Sequence, residues 1–230
     1  MGTRLTHVPF DIETTGFDTT ARVTVVGFAL PLGCRVFLNT GGKPAAVSTL
    51  DTELAERFNT EIQLTAHEDE SALLTAMTAF VEESIAPREF LLVAYNGDRF
   101  NGGFDLPFLR SRFALQDQQW PFDRIPYADI YPLIKDRFNT SADGEEGNDL
   151  VTAYDLLTDG DLSAVDPFDE SSAAVRAFRT GDFESLLTHN VADILRTKAL
   201  ASLAERFCGK SEFQLKSLTP SARDPDLSSP

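Results

Sequence analysis

Asp11 and Glu13 stand two residues apart in the segment HVPFDIE. That segment reads as a short strand over residues 7–13, and residues at i and i+2 of a strand point to one face of the sheet. Two neighbouring carboxylates repel each other and resist desolvation. A divalent cation is the simplest compensation, because hard ions such as Mg²⁺ take oxygen ligands. On its own, such a pair more often marks an edge strand running into solvent. Asp105, in FDLPFL, opens a helical segment, and alone it reads as a helix cap. His189 and Asp193, in HNVADILRT, are four apart and so share one face of a helix. A neutral imidazole, with a reference pKa of about 6.5, can orient and deprotonate a water molecule. A lone His–Asp pair of this kind is usually a surface pair.

The three segments together say more than any one of them. FDIETTGF, residues 10–17, resembles the first motif of the DEDD-type 3′→5′ exonucleases of the ribonuclease H-like superfamily. AYNGDRFNGGFDLPFLRSR, residues 94–112, resembles the second motif, and HNVADILRT, residues 189–197, the last. The longer stretch DPFDESSAAVRAFRTGDFESLLTHNVADILRT is similar to the stand-alone YprB-like predicted exonucleases, which include archaeal members. The resemblance spans residues 7–207.

It implies two Mg²⁺ or Mn²⁺ ions held by Asp11, Glu13, Asp105 and Asp193, with His189 taking the proton of the attacking water. It implies a nucleic-acid substrate with a 3′ end, single-stranded DNA or RNA, and release of nucleoside 5′-monophosphates. Thr14 and Gly16 belong to the turn whose amides approach the terminal nucleotide. Phe17 takes the place that packs on its base, a stack worth about 1–3 kcal/mol without sequence preference. Asn96 is implied as a substrate contact and Arg99 as a phosphate contact.

Two departures stand out. Asn96 lies nine residues before Asp105, several more than the family spacing, with DRFNGG between them. His189 precedes Asp193 by four residues, where the family has a Tyr four before or a His five before. A structure-selective endonuclease and a non-catalytic nucleic-acid or protein-binding module remain as alternatives. The choice of sugar depends on how a pocket meets the 2′-hydroxyl, which spacing does not reveal, and no partner protein is identifiable.

The elements that must position these residues are legible in outline. Strands at 7–13, 22–30 and 34–40 form an antiparallel three-strand meander, joined by the turns TTGFDTT and Pro31-Leu32-Gly33. A short helix at 49–58 and an extended segment at 62–66 follow. Apolar residues at 73, 74, 77, 80, 81 and 85 predict a helix over 69–85, before a buried strand at 89–94. Helices are expected at 105–115, 129–138, 150–157, 171–179 and 183–207, with 116–128 as a loop. The expected fold is α/β and ribonuclease H-like, with a central mixed sheet flanked by helices. Residues 1–216 form its single domain and 217–230 a frayed tail.

Composition sets the background. The chain has 230 residues, 42% of them hydrophobic, and a formal charge of -16 from 20 basic and 36 acidic side chains. That length suits one core. Such acidity would repel a polyanion in dilute salt. With 15 Arg, only 5 Lys and many Asp, however, the chain resembles the proteins of halophilic archaea. In concentrated salt the Debye length falls to about 3 Å, so net charge does not exclude nucleic acid. The longest uncharged apolar stretch, Val23–Cys34, has 12 residues, short of the roughly 20 that span a membrane. The first residues carry no apolar signal region, so a cytoplasmic protein is expected. Cys34 and Cys208 cannot form a disulfide framework. ADGEEGND resembles a calcium loop only in composition.

Overall fold

Strand β1 (Thr6–Thr14) runs through the middle of the sheet, with β2 (Val23–Leu30) antiparallel on one side. On its other side β5 (Phe90–Ala94) lies parallel. The computed structural model describes residues 5–98, 103–142, 144–168 and 171–221. β3 (Gly33–Asn39) completes the antiparallel meander, and β4 (Ile62–His67) joins it in parallel after helix α1 (Val47–Phe58). β6 (Pro126–Asp129) lies parallel to β5, and Lys216–Ser217 adds antiparallel to β6. The sheet is therefore mixed, in the order β4-β3-β2-β1-β5-β6 followed by Lys216–Ser217.

The remaining helices are α2 (Glu70–Phe80), α3 (Asp105–Leu115), α4 (Tyr131–Arg137), α5 (Leu150–Leu157), α6 (Ser171–Thr180) and α7 (Phe183–Phe207). Among the described residues, no helix is long and apolar enough to cross a membrane.

The alternation along β1 sorts its side chains. Val8, Phe10 and Ile12 join one apolar cluster with Leu73 and Leu74 of α2 and Leu106 and Leu109 of α3. Asp11 and Glu13 take the opposite face, the one that α7 crosses. β2 is buried from Val23 to Ala29, as expected for a β-branched strand covered on both faces. Its Val25 and Ala29 pack with Leu187, Val191 and Ile194 of α7.

Three expectations are corrected. Residues 116–128 were expected as loop, yet Pro126 opens β6. Proline is tolerated at a first strand position, where its missing N–H breaks no ladder, and four residues are too few to show a periodicity. α4 consequently begins at Tyr131 rather than Asp129. The helix expected to continue to Ile85 widens into a π-turn over Val81–Ile85. The start of the chain expected to fray from Ser217 is docked: Leu218 is buried and its carbonyl accepts from Trp120 Nε1 at 3.1 Å, while residues 222–230 of that expected tail lie outside the described residues. Thr219 Oγ1 accepts from the Arg124 amide at 2.9 Å.

One buried ion pair ties three elements together. Glu70, 4% exposed at the start of α2, accepts from the Val23 amide at 2.8 Å. It also accepts from Arg112 Nε at 2.8 Å, from Arg112 Nη2 at 2.7 Å and from Gln116 Nε2 at 2.6 Å. Removing the cation leaves an uncompensated carboxylate in the interior, which costs about 3–5 kcal/mol. Arg112→Ala should therefore lower unfolding free energy by about that amount in urea denaturation, and a change below 1 kcal/mol would show that the clamp is not structural.

Candidate active site

Asp11 pairs in register with Gly27 of β2, and Glu13 with Val25. At Gly27 side chains of α7 press against the strand. A Cβ there would lie 2.1 Å from Asn190 Oδ1, so only glycine admits the helix at this depth. The buried Asn190 uses the approach: its Nδ2 donates to Asp11 Oδ2 at 2.9 Å and to the Asp11 carbonyl at 3.3 Å. Asp11 is thereby oriented by the residue next to His189.

His189 and Asp193 face the same strand. His189 Nε2 is 3.8 Å from Glu13 Oε1 and 3.7 Å from Asp193 Oδ2. Glu13, His189 and Asp193 each offer a ligand atom, all within 4.8 Å of one another. The other imidazole nitrogen is held from behind. Asp166 accepts from His189 Nδ1 at 2.9 Å, which leaves Nε2 toward the carboxylates. Arg196, with a fully buried side chain, donates through Nη1 to Asp166 Oδ2 and to Asp193 Oδ1, both at 2.6 Å.

Asp105 arrives from the other side of β1. It is 8% exposed at the first turn of α3, after the loop that leaves β5. The long interval from Asn96 to Asp105 does not displace it. The Phe104 amide donates to the Asn96 carbonyl at 3.3 Å, and the Leu106 amide to the Gly97 carbonyl at 2.8 Å. Asp129, at the end of β6, braces this turn by accepting from the amides of Asn96 at 2.8 Å and Asp98 at 3.1 Å. Asn96 itself has φ +60°, and its Oδ1 is buried with no hydrogen-bond partner among the described residues.

The ionisation of the group follows from its burial. Burial first, then the charges of Asp105 and Asp193, holds Asp11 well above the usual carboxylate range. Glu13 is raised well above it chiefly by burial, as is Asp105, to which the charges of Glu13, Asp129 and Asp193 add. Asp193 is raised by burial, partly offset by His189 and Arg196. Burial pulls His189 down, but its bond to Asp166 and the charges of Glu13 and Asp193 outweigh that and push it up to about 10. Without metal, these neighbours favour the protonated imidazole.

The other expected residues fall as follows. Thr14 is buried and its Oγ1 donates to the Gly16 carbonyl at 2.7 Å, so its hydroxyl closes the turn. Gly16, at φ +155°, adopts a backbone that side chains rarely take. Phe17 is 76% exposed, with its ring edge-on to Phe104 at 5.2 Å. Arg99 lies outside the described residues. His67 is half-buried and stacks on Phe37.

Sequence reasoning missed Asp129, Asp166, Asn190 and Arg196. Arg196 did carry a signal, three residues after Asp193 on the same helix face, but helical spacing gives no indication of burial. Asp166 sits in the quoted stretch DPFDE, 23 residues before its partner, with nothing local to mark it.

No family model matches the sequence, and no curated protein does. Among solved structures, the family B DNA polymerase from the hyperthermophilic archaeon Pyrobaculum calidifontis is similar over 88% of this chain, with a TM-score of 0.63 and 17% identity. The chain spans 25% of that polymerase's length. At this identity the likeness concerns the fold, which is α/β and ribonuclease H-like, with a mixed central sheet, an antiparallel N-terminal meander and flanking helices.

The geometry makes Asp166 the group that holds the His189 proton. In the metal-free protein, Asp166→Asn should lower the His189 pKa by at least one unit from about 10, read by NMR titration of the imidazole. The folded value lies above the ordinary 6.5, so His189 stabilises the fold below pH 6.5, and that contribution fades as the pH rises toward 10. The variant should lose part of this stabilisation at pH 6 and none above pH 10. An unmoved His189 titration would assign its proton to Glu13 and Asp193 instead.

Proposed function

We propose that the protein is a metal-dependent 3′→5′ exonuclease acting on DNA or RNA. The observation that carries this reading is the cluster of Glu13, His189 and Asp193, whose ligand atoms lie within 4.8 Å of one another, with Asp11 and Asp105 near enough for their charges to act on these acids. The donor set fits hard divalent cations: the acids are oxygen ligands, and burial with mutual repulsion leaves each of them above its ordinary pKa. The likeness to a DNA polymerase supports nucleic acid as the substrate.

Two Mg²⁺ or Mn²⁺ ions held by Asp11, Glu13, Asp105 and Asp193 would supply charge against the attacking and leaving oxygens and offset the carboxylate charge that keeps His189 protonated. The chain's own residues do the rest. His189 presents Nε2 between Glu13 and Asp193, where it can take the proton of an attacking water. Asp166 fixes the ring by its Nδ1 and stabilises the imidazolium that results. Arg196 holds Asp166 and one oxygen of Asp193, leaving Asp193 Oδ2 toward the centre. Asn190 sets the rotation of Asp11. Phe17, exposed and backed by Phe104, offers a face on which a terminal base could stack.

The test is a time course with 5′-labelled single-stranded DNA and RNA of one sequence, at high salt, with Mg²⁺ or Mn²⁺. A ladder shortening from the 3′ end, absent with chelator and absent in Asp105→Ala, is the expected result. His189→Ala should lower the rate by about 10²–10⁴. Discrete internal cuts would assign an endonuclease instead. No cleavage by a folded protein supplied with metal would assign a binding module.

Phe17→Ala removes the stacking face and leaves the acids untouched. It should raise KM for a single strand roughly tenfold, in line with a loss of about 1–3 kcal/mol per stacked base. An unchanged KM would take Phe17 out of substrate binding.

A further inference from the structure

Beside the turn that follows Glu13, a cleft of about 610 Å³ opens between the ends of β1–β3 and α6. Three cationic side chains, Arg22, Lys43 and Arg179, line it. We propose that this cleft binds the sugar–phosphate backbone of the nucleic-acid strand behind its reacting 3′ end. The proposal rests on the nuclease reading above and extends it.

The cleft adjoins the turn that leaves the candidate active site. Thr15, two residues after Glu13, lines it and is laced to Arg22: the Thr15 amide donates to the Arg22 carbonyl at 2.9 Å, and the Arg22 amide to Thr15 Oγ1 at 3.0 Å. The Arg22 backbone is therefore fixed against the turn that follows Glu13. A strand whose end lies at Asp11 and Glu13 would reach these cations by passing the turn at Thr15.

The charge of the cleft runs against the chain as a whole, which carries -16. Several cations elsewhere are committed to acids: Arg57 to Glu184, Arg112 to Glu70, Arg137 to Glu212, and Arg196 to Asp166 and Asp193. Among the described residues, Arg22, Lys43 and Arg179 make no ion pair. Two acids also line the cleft. Asp69 is engaged as the cap of α2, accepting from the Ala72 amide at 2.9 Å. Three cations against the carboxylates of Glu68 and Asp69 still leave an excess of one positive charge.

Lys43 is held in place before anything binds. Its ammonium sits 4.7 Å from the centroid of the Phe178 ring. Its stem runs past Gly181, where an added Cβ would lie 3.3 Å from Lys43 Cδ. The backbone beside it is open, because a Cβ at Gly42 would meet nothing within 4 Å. Cations on an open cleft contact phosphates and carry no sequence information. Such binding weakens linearly in log–log terms with salt, by about 0.7 per phosphate contact for single strands.

The experiment compares the unaltered protein with Arg22→Gln/Lys43→Gln/Arg179→Gln. Anisotropy of a fluorescein-labelled twelve-nucleotide single strand, in Ca²⁺ over a KCl series, measures binding. Hydrolysis of a dinucleotide with Mg²⁺ reports the reacting end alone. The triple variant should bind the strand about tenfold more weakly, its salt slope should fall by about 2, and dinucleotide turnover should be unchanged. Unchanged affinity and slope overturn the cleft, and so does an equal loss on both substrates. If the unaltered protein binds the strand through these cations yet cleaves neither substrate, the nuclease reading fails and the cleft stands. Arg179→Glu, a single exposed change on α6, repeats the binding arm should the triple variant not fold.

Discussion

Putting carboxylates inside a protein is costly unless something else in the interior answers their charge, and this molecule is organised around that cost. Asp11 and Glu13 lie on the central strand, on the face covered by α7, and Asp105 and Asp193 join them from α3 and α7. The answering groups are few. His189 and Arg196 supply positive charge, and Asn190 supplies a neutral donor, all three from within two turns of one helix. The depth at which α7 rests on the sheet is therefore set by electrostatics as much as by apolar packing. Gly27 is the point that permits it, since the Asn190 carboxamide occupies the space of any side chain there.

Arg196 and Asp166 act as a second tier behind the acids. A fully buried guanidinium between two carboxylates is rigid in a way that a lysine would not be, because its planar fork satisfies both at fixed angles. It gives Asp193 one fixed oxygen and one free one. It also keeps Asp166 ionised: burial alone would raise that group, yet the bonds to His189 and Arg196 leave it below its ordinary pKa. The orientation of the imidazole thus traces back through Asp166 to a residue that never faces the opening.

Much of the fold was legible because its signals are local. The meander announces itself in β-branched runs broken by turn residues, and α7 in a long helical spacing. Asp11 and Glu13 could be placed on one face from the two-residue strand period, and His189 and Asp193 from the helical turn. What stayed hidden is what depends on distant partners. β6 is four residues long with a proline at its head, so only its pairing with β5 defines it. Asp193 and Arg196 read equally well as an exposed helical pair. The upward shift of His189 comes from Asp166, Glu13 and Asp193 together, groups that no local pattern around residue 189 brings into view at once. Thr14 shows the same limit on a small scale, its hydroxyl serving the turn itself.

The hydrogen bond from the Phe104 amide to the Asn96 carbonyl closes a ring in the main chain just ahead of Asp105, with the Gly103 backbone pressed against that of Asp98. Whatever lies between those two ends, the ends meet. Lengthening such a loop is inexpensive, about 0.6 kcal/mol for each doubling. The number of residues between Asn96 and Asp105 is accordingly a free parameter of this architecture, and a sequence pattern that fixes it would pass over chains with the same site. The junction is also a natural grafting point, where a new recognition segment could be inserted at the rim of the acidic centre without rebuilding it.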